Sequence, residues 1–451
     1  MTESMFQKPE VRLIGYTKGY GKYSNLSPDE IAAYAAGADF VSESLTELYE
    51  NDMKLIKHGE LTEEKRQKKI DRILNESYGR GHGSVGDQIH FNIEIKNCTR
   101  SFTLFDTSSE FAEHEQQSFR RTDSSKGVFA SEAVRDSSHF KDFKETNYDA
   151  YSLYEEMLKD KGIPKEDARF HLPLAAKTNI TTCINVRETH HLHAMLDQGE
   201  VPSDVKYTVN RMVNVSKKVA PKIMKKRESN YKMLAWRPAT QIFASTNKTL
   251  NDIIEKSDTS KDVIPISSGG IDITEYGLNR IIKYNDEAEY ANLKHYHSTF
   301  LVKNSIVMNH QLRRQRTMHL SDESFYDAVK RKNIIIPPKI KDSKYYDRVH
   351  DQNYRMLDLY EDMKKDIPRA EAIGTIPHSL QIYTLIHVDG FNSIHFIGKR
   401  TCTEAQWEIR DIAKGIANYI KDVNPELGKY TVPQGKIYGK CPERNPCGLC
   451  D

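Results

Sequence analysis

Apolar and polar residues alternate along Gln88-Ile-His-Phe-Asn-Ile-Glu-Ile-Lys96, which is the pattern of a half-exposed strand. A strand-like Glu10-Val-Arg-Leu-Ile-Gly-Tyr16 lies upstream of it. Ser27-Pro28 opens charged, alanine-rich stretches that predict helices over 29–57 and 62–77, with Ser27 placed to cap the first. From Arg100 to about Arg120 the spacing again predicts helix. Residues 244–270 are rich in Ser, Thr, Asn and Asp and contain Ser267-Ser-Gly-Gly270, which predicts a linker. Beyond it come a strand at 295–303, a helix over about 305–317 and a loop through Ser321-Asp-Glu-Ser324. Ile334-Ile-Ile-Pro-Pro338 and helices at 346–365 and 403–420 complete the pattern. Strands grouped with helices, without β-α-β alternation, predict an α+β fold in which each domain packs a small antiparallel sheet against helices.

The order of elements repeats because the chain repeats. Gln88–Lys96 matches His295-Tyr-His-Ser-Thr-Phe-Leu-Val-Lys303 at an offset of 207. Ile163-Pro-Lys-Glu-Asp-Ala-Arg-Phe-His-Leu-Pro173 matches Ile367-Pro-Arg-Ala-Glu-Ala-Ile-Gly-Thr-Ile-Pro377 at 204. A period of that size is a whole domain, far longer than a solenoid unit. The expected organisation is therefore a domain at 1–243, a linker at 244–270 and a related domain at 271–451.

A chain of 451 residues is long enough for two cores. Its 66 basic and 64 acidic residues nearly cancel, so bulk charge draws it to neither nucleic acid nor membrane, and neither partner is expected. No apolar run reaches membrane-spanning length and the first residues do not read as a signal peptide, so the expected compartment is the cytoplasm. Cys98, Cys183 and Cys402 are scattered and read as buried thiols, whereas Cys441, Cys447 and Cys450 crowd the tail. That C-x5-C-x2-C run is a candidate for zinc with a fourth ligand from elsewhere, or for a disulfide.

The sharpest cluster of chemistry is Gln311-Leu-Arg-Arg314-Gln-Arg316, directly after the second strand. On a helix Gln311 and Arg314 share a face, and an amide with guanidiniums beside it suits an oxygen-rich anion held bidentately. Taken alone, such a run also reads as a solvated basic turn. His190-His-Leu-His193 places two imidazoles three apart, a metal-ligand spacing, but without accompanying carboxylates it reads first as a structural helix.

Context changes the weight of the arginine run. His295-x3-Thr299, Val302-Lys303, Gln311-x2-Arg314-x-Arg316, Ser324, Pro368-Arg, Ile376-Pro377 and Arg400-x4-Ala405-Gln-Trp-Glu-Ile409 fall in an order that resembles the flavin-dependent thymidylate synthases. The family signature is Q-x-x-R-H-R followed by x-x-S-x-N-x-x-S-x-R-Y, then an arginine before a Leu-Pro, an N-x-R and a late arginine with A-Q-W-E-I. The second repeat departs from it at Gln315 for the histidine and at Tyr326 and Asp327 for the S-x-R-Y arginine and tyrosine. It departs again at Ile373 for the pre-Leu-Pro arginine and at Asp389-Gly-Phe391 for the N-x-R. The first repeat fails elsewhere. Leu104-Phe-Asp-Thr-Ser-Ser109 holds no basic residue where the arginine run should be, Gln88 replaces the early histidine and Leu196 stands for Arg400. Yet Glu115-Gln-Gln-Ser118-Phe-Arg120 keeps the S-x-R, Arg169 keeps the pre-Leu-Pro arginine and Asn185-Val-Arg187 keeps the N-x-R.

The losses are complementary, and the resemblance implies one composite site made from both halves with its mirror abandoned. It implies that FAD is held by Arg314 and Arg316 with His295, Thr299 and Gln315 from one half, and by Asn185, Arg187 and His191 from the other. It implies dUMP as substrate, bound by Glu115, Ser118, Arg120, Arg169, Gln311, Arg314 and Arg400, with Arg400 at the uracil edge where charge develops. NADPH and methylenetetrahydrofolate, a folate, follow as co-substrates, and a homodimer would imitate the family's tetramer. Ser324 then reads as a relic of the abandoned site. A non-catalytic nucleotide- or RNA-binding protein, or an enzyme methylating another pyrimidine, remain the alternatives at this point.

Overall fold

The computed structural model describes residues 2–226, 238–444 and 446–449. Compactness divides the chain into two units that cut across the sequence repeats. One comprises Met1–Asn147, Pro173–Ala239 and Tyr360–Thr375; the other comprises Tyr148–Leu172, Thr240–Leu359 and Ile376–Asp451. Each unit thus takes in a short stretch of the other repeat.

The first unit is built on β1 (Glu10–Tyr16), β2 (His90–Thr99), β3 (Ala112–Gln116) and β4 (Lys177–Asn185), ordered β1-β2-β4-β3 and antiparallel throughout. The second is built on β5 (Val263–Gly270), β6 (Tyr296–Ser305), β7 (His319–Asp322) and β8 (Gln381–Asp389), in the corresponding order β5-β6-β8-β7. The alternation read at 88–96 is real: Phe91, Ile93 and Ile95 are buried while His90 and Asn92 face outward. In the second unit Phe300, Val302, Ile386 and Val388 of the sheet close on Ile409, Ile412, Ile416 and Ile420, which recur on one face of the helix Trp407–Val423. Small antiparallel sheets packed with helices, twice over, bear out the α+β expectation.

Several boundaries differ. The helix expected over 100–120 stops at Asp106, because the Thr107 and Ser108 hydroxyls donate to the Thr103 and Phe105 carbonyls at 2.7 and 2.6 Å and compete for the last turn; β3 follows. The helix expected over 305–317 likewise spans only Ile306–Leu312, and the expected loop at 321–324 begins inside β7. The segment read as a linker holds the helix Lys248–Lys256 and the edge strand β5, so Ser267-Ser-Gly-Gly270 is paired backbone. Ser27 does cap Pro28–Ala38, in a full capping box with Glu30.

One local feature alters the correspondence of the repeats. Pairing of β2 with β4 runs from His90↔Asn185 to Ile95↔Ile180, breaks, and resumes at Cys98↔Thr178. Pairing of β6 with β8 runs unbroken from His297↔Asp389 to Ser305↔Gln381. The first repeat therefore carries one extra residue, a bulge at which Asn97 takes a left-handed backbone (φ 56°) and its N–H donates to Asn179 Oδ1 at 3.0 Å. Beyond the bulge Thr99 stands for Ser305, and Phe105, not Leu104, stands for Gln311. The arginine run then corresponds to Phe105–Glu110, which is equally without a basic residue.

Candidate active site

The second unit collects Arg169 from the first repeat together with Gln311, Arg314, Gln315, Arg316 and Arg400 from the second. The segment carrying Arg169 is anchored at three points. Trp407 Nε1 donates to Asp167 Oδ1 at 3.2 Å, its ring stacks on Phe170 with centroids 6.1 Å apart, and the His378 backbone N–H donates to the Leu172 carbonyl at 2.9 Å. Arg169 is buried in a single 3-10 turn, with Nε donating to the Glu166 carbonyl at 3.1 Å. Its charge reaches Glu408, which is itself buried beside Trp407.

Glu408 accepts from the Ser305 backbone N–H at 2.6 Å and from its hydroxyl at 2.7 Å, and Ser305 Oγ in turn caps Ile306–Leu312 by accepting from Met308 N–H. The helix that bears Gln311 is thus tied at its first turn to the Gln406-Trp407-Glu408 run. Burial pushes the Glu408 carboxyl up to about 7, against the Ser305 hydrogen bonds and Arg169, which favour its charge.

At the far end of that helix Gln311 is only 7 % exposed, and among the described residues neither its Oε1 nor its Nε2 has a hydrogen-bond partner. A buried amide with both ends open fits a ligand that offers a donor and an acceptor side by side, as the edge of a pyrimidine base does. Arg314 and Arg316 are exposed on the following turn and make no ion pair among the described residues, which suits a phosphate group; Gln315 is buried between them. Arg313 points the other way. It is 2 % exposed and pairs at 2.6 Å with Asp322, which also accepts from Asn309 at 2.6 Å, Thr384 at 2.7 Å and Thr240 at 3.0 Å. Thr317 Oγ1 donates to Asn392 Oδ1 at 2.9 Å, so the arginine turn is held at the start of the helix Gly390–Arg400, and Arg400 lies at its other end, about 12 Å along the axis.

Sequence reasoning missed a histidine face in this unit. Thr299 and His319 both sit opposite His387 in the sheet, and the His387 ring stacks with His297 at 5.3 Å and lies 6.0 Å from His319. Burial, then the neighbouring histidines, lower the His387 pKa. The period-2 spacing of 297 and 299 on β6 was the available signal; their partners on β7 and β8 were not legible without the pairing. His295 is exposed, just ahead of β6.

In the first unit the remaining candidates are spread along β4. Glu115 lies exposed on β3 opposite Thr181, and Ser118 and Arg120 form the turn that follows, with Ser118 Oγ accepting from Arg120 N–H at 3.3 Å. Asn185, Arg187 and His191 lie at the C-terminal end of β4 and just beyond it. Asn185 caps Val186–Met195 by accepting from Glu188 N–H at 2.8 Å, Arg187 Nε donates to Asp87 at 2.8 Å, and His191 Nδ1 is 3.5 Å from Glu188. His190 is a core histidine bonded to the Tyr78 hydroxyl at 2.8 Å, and His193 reaches Asn210 at 3.0 Å, so the metal-ligand spacing at 190–193 is spent on packing. Leu196, the counterpart of Arg400, is buried. In the second unit Ser324 caps a short helix and donates to the Ala244 carbonyl.

Cys441 is a partly exposed thiol, Cys447 is exposed, and Cys450 lies outside the described residues. Among the described residues no group of three His, Cys, Asp or Glu side chains is placed to hold a metal ion, and no helix is long and apolar enough to cross a membrane.

Comparison with known proteins bears on the family of the chain. Flavin-dependent thymidylate synthase of Sulfolobus acidocaldarius is 30% identical over 165 residues, covering 35% of this chain and 63% of that protein. That of Clostridium tetani is 30% identical over 190 residues, covering 37% of this chain and 73% of the relative. The chain thus spans somewhat under two thirds of the Sulfolobus enzyme. Among solved structures, a UMP/dUMP methylase PolB from Streptomyces cacaoi bound with 5-Br dUMP aligns at 13% identity and a TM-score of 0.38, over 49% of this chain and 95% of that one. The family model described as thymidylate synthase complementing protein matches twice, at residues 23–222 and 241–426. With nearly the whole chain covered by two successive matches, this protein belongs to the thymidylate synthase complementing protein family and carries the family's domain in duplicate.

Proposed function

We propose that the chain is a flavin-dependent thymidylate synthase that methylates dUMP reductively, with methylenetetrahydrofolate as carbon donor and NADPH as reductant. The observation that carries this reading is the gathering of Arg169, retained only by the first repeat, into one unit with Gln311 and Arg400, retained only by the second. A decayed duplicate has no reason to keep one complementary set.

Gln311 has the open donor and acceptor to read the imide edge of the base, and Arg400 supplies a permanent positive charge where the ring becomes electron-rich at C5. Arg169, with Ser118, Arg120 and Glu115 of the first repeat, serves the nucleotide phosphate and sugar. Arg314 and Arg316, two exposed cations on a turn held by Asn392, suit the diphosphate of FAD, with Gln315, His295 and Thr299 beside them in sequence and Asn185, Arg187 and His191 contributed by the first repeat. When bound, the flavin supplies the reducing equivalents that complete the methyl group. The assembly is proposed to be a homodimer in which four family domains are supplied by two chains.

Purified protein should take up FAD and show flavin absorbance, and the flavoprotein should oxidise NADPH in a dUMP-dependent manner and release dTMP. Protein that cannot be loaded with FAD would remove the enzyme reading. Turnover with UMP in place of dUMP would redirect it to another pyrimidine.

A further inference from the structure

Residues 204 apart correspond in the later part of each repeat, as the 3-10 turns Arg169–His171 and Ile373–Thr375 and the helix starts Ser203 and Trp407 do. By this rule Ser203 stands for Trp407, Glu371 for Asp167 and Gly374 for Phe170. In the second unit the Trp407 indole fills its place, with Nε1 on the Asp167 carboxylate and the ring on Phe170. In the first unit the carboxylate persists: Glu371 accepts from the Ser203 backbone N–H at 3.0 Å and from its hydroxyl at 2.7 Å. Both rings are gone.

Where the indole would stand, at Ser203, there is an open cavity of about 390 Å³, lined among others by Phe129, Ser131, Ser203, Asp204, Tyr207 and Glu371, whereas Ala175 packs against Gly374, where a Cβ would meet its Cβ at 3.3 Å. A second, water-sized space of about 20 Å³ shares Phe129, Ser131, Asp204 and Glu371 and extends along Gly374. The larger volume falls in the range of small-molecule sites. Its apolar lining includes Phe129, Tyr207 and two prolines; its carboxylates include the half-buried Glu371 and Asp204, which is 8 % exposed, and its lining cation, Lys8, lies over the Tyr207 ring at 5.4 Å and pairs with Glu132 at 3.5 Å. Asp204 accepts from the Thr99 hydroxyl; being one methylene shorter than its counterpart Glu408, it leaves the Thr99 backbone unreached.

We propose that this cavity binds a small planar nitrogen heterocycle whose N–H edge, preferably positively charged, donates to Glu371 and Asp204 while its face lies between Phe129 and Tyr207. The second unit displays the same recognition with its own side chain: an aromatic N–H on a carboxylate and an aromatic face beneath it. The site is independent of the nucleotide site proposed above, because none of the residues assigned there lines it.

The test is titration of the full chain with 2-aminobenzimidazole, a flat cation with two parallel N–H donors, followed by calorimetry and thermal shift. Saturable binding at one site per chain is expected. Ser203→Trp should abolish it by placing an indole where the ligand goes, and Glu371→Gln should weaken it at least tenfold, while neither change alters flavin uptake. Tyr207→Ala serves as the wall variant if Ser203→Trp fails to fold. Absence of saturable binding to the parent chain, or equal binding by the folded Glu371→Gln protein, would overturn the proposal.

Discussion

Glu408 receives two hydrogen bonds from Ser305, at 2.6 and 2.7 Å, and so fixes the first turn of the helix that ends in Gln311. The carboxyl is buried and raised to about 7, above its ordinary value of 4.5, with burial the first cause. A raised acid binds more protons folded than unfolded. Its contribution to stability is therefore complete below the unfolded value and is lost as pH rises through about 7. Unfolding in denaturant between pH 5 and 8 should show Glu408→Gln losing less stability over that window than the parent, by on the order of 3 kcal/mol. An unchanged slope would mean that Glu408 is ionised throughout.

Arg313 and Asp322 form an ion pair 2 % and 0 % exposed, behind the arginine turn. Burial works against the Arg313 charge and Asp322 supports it. Removing Arg313 as Arg313→Met strands the carboxylate among Asn309, Thr384 and Thr240 and should cost about 3–5 kcal/mol. The double change Arg313→Met with Asp322→Asn should recover part of that loss. Equilibrium denaturation of these two variants and of Asp322→Asn alone measures the cycle, and additive losses would show that the pair is not coupled.

Asn97 occupies a left-handed backbone at the bulge of β2. Asn97→Gly should be tolerated to within about 1 kcal/mol, whereas the β-branched Asn97→Val should lose about 1–2 kcal/mol, because its branched Cβ crowds the carbonyl in that region. Thermal melts of both variants decide the matter; a neutral Asn97→Val would remove the conformational argument.

Arg169→Ala, Arg314→Ala and Arg400→Ala should each lower dTMP formation severely, by about 2–5 kcal/mol of transition-state or ground-state binding. Ser324→Ala and Leu196→Val, in the mirror positions, should leave turnover within a few fold. Arg169 and Arg400 share a unit of one chain, so mixing Arg169→Ala protein with Arg400→Ala protein should not restore activity. Flavin titration should reach one FAD per chain, and two per chain would show that both site copies function.

Much of this protein was legible before any tertiary contact was known. The alternation at 88–96, the strand at 295–303, the Ser27 cap and the long helix over 346–365 are local consequences of side-chain period and end chemistry, and they fold as read. The duplication was legible too, because both copies had to keep the same core pattern to bury the same faces. The arginines retained by opposite repeats could be named from their order alone. What sequence could not supply was partnership at long range. The single residue that Asn97 adds to β2 shifts the correspondences that follow it by one, and the strand register fixes its place. The docking of Asp167 onto Trp407, 240 positions away, decides that Arg169 joins the second repeat's motif rather than its own. The cavity beside Ser203 is lined by residues from 8 to 371 that become neighbours only on folding. Period and capping act within a few residues, whereas packing pairs residues with no regard to their distance along the chain, so the site's membership was decided by tertiary structure.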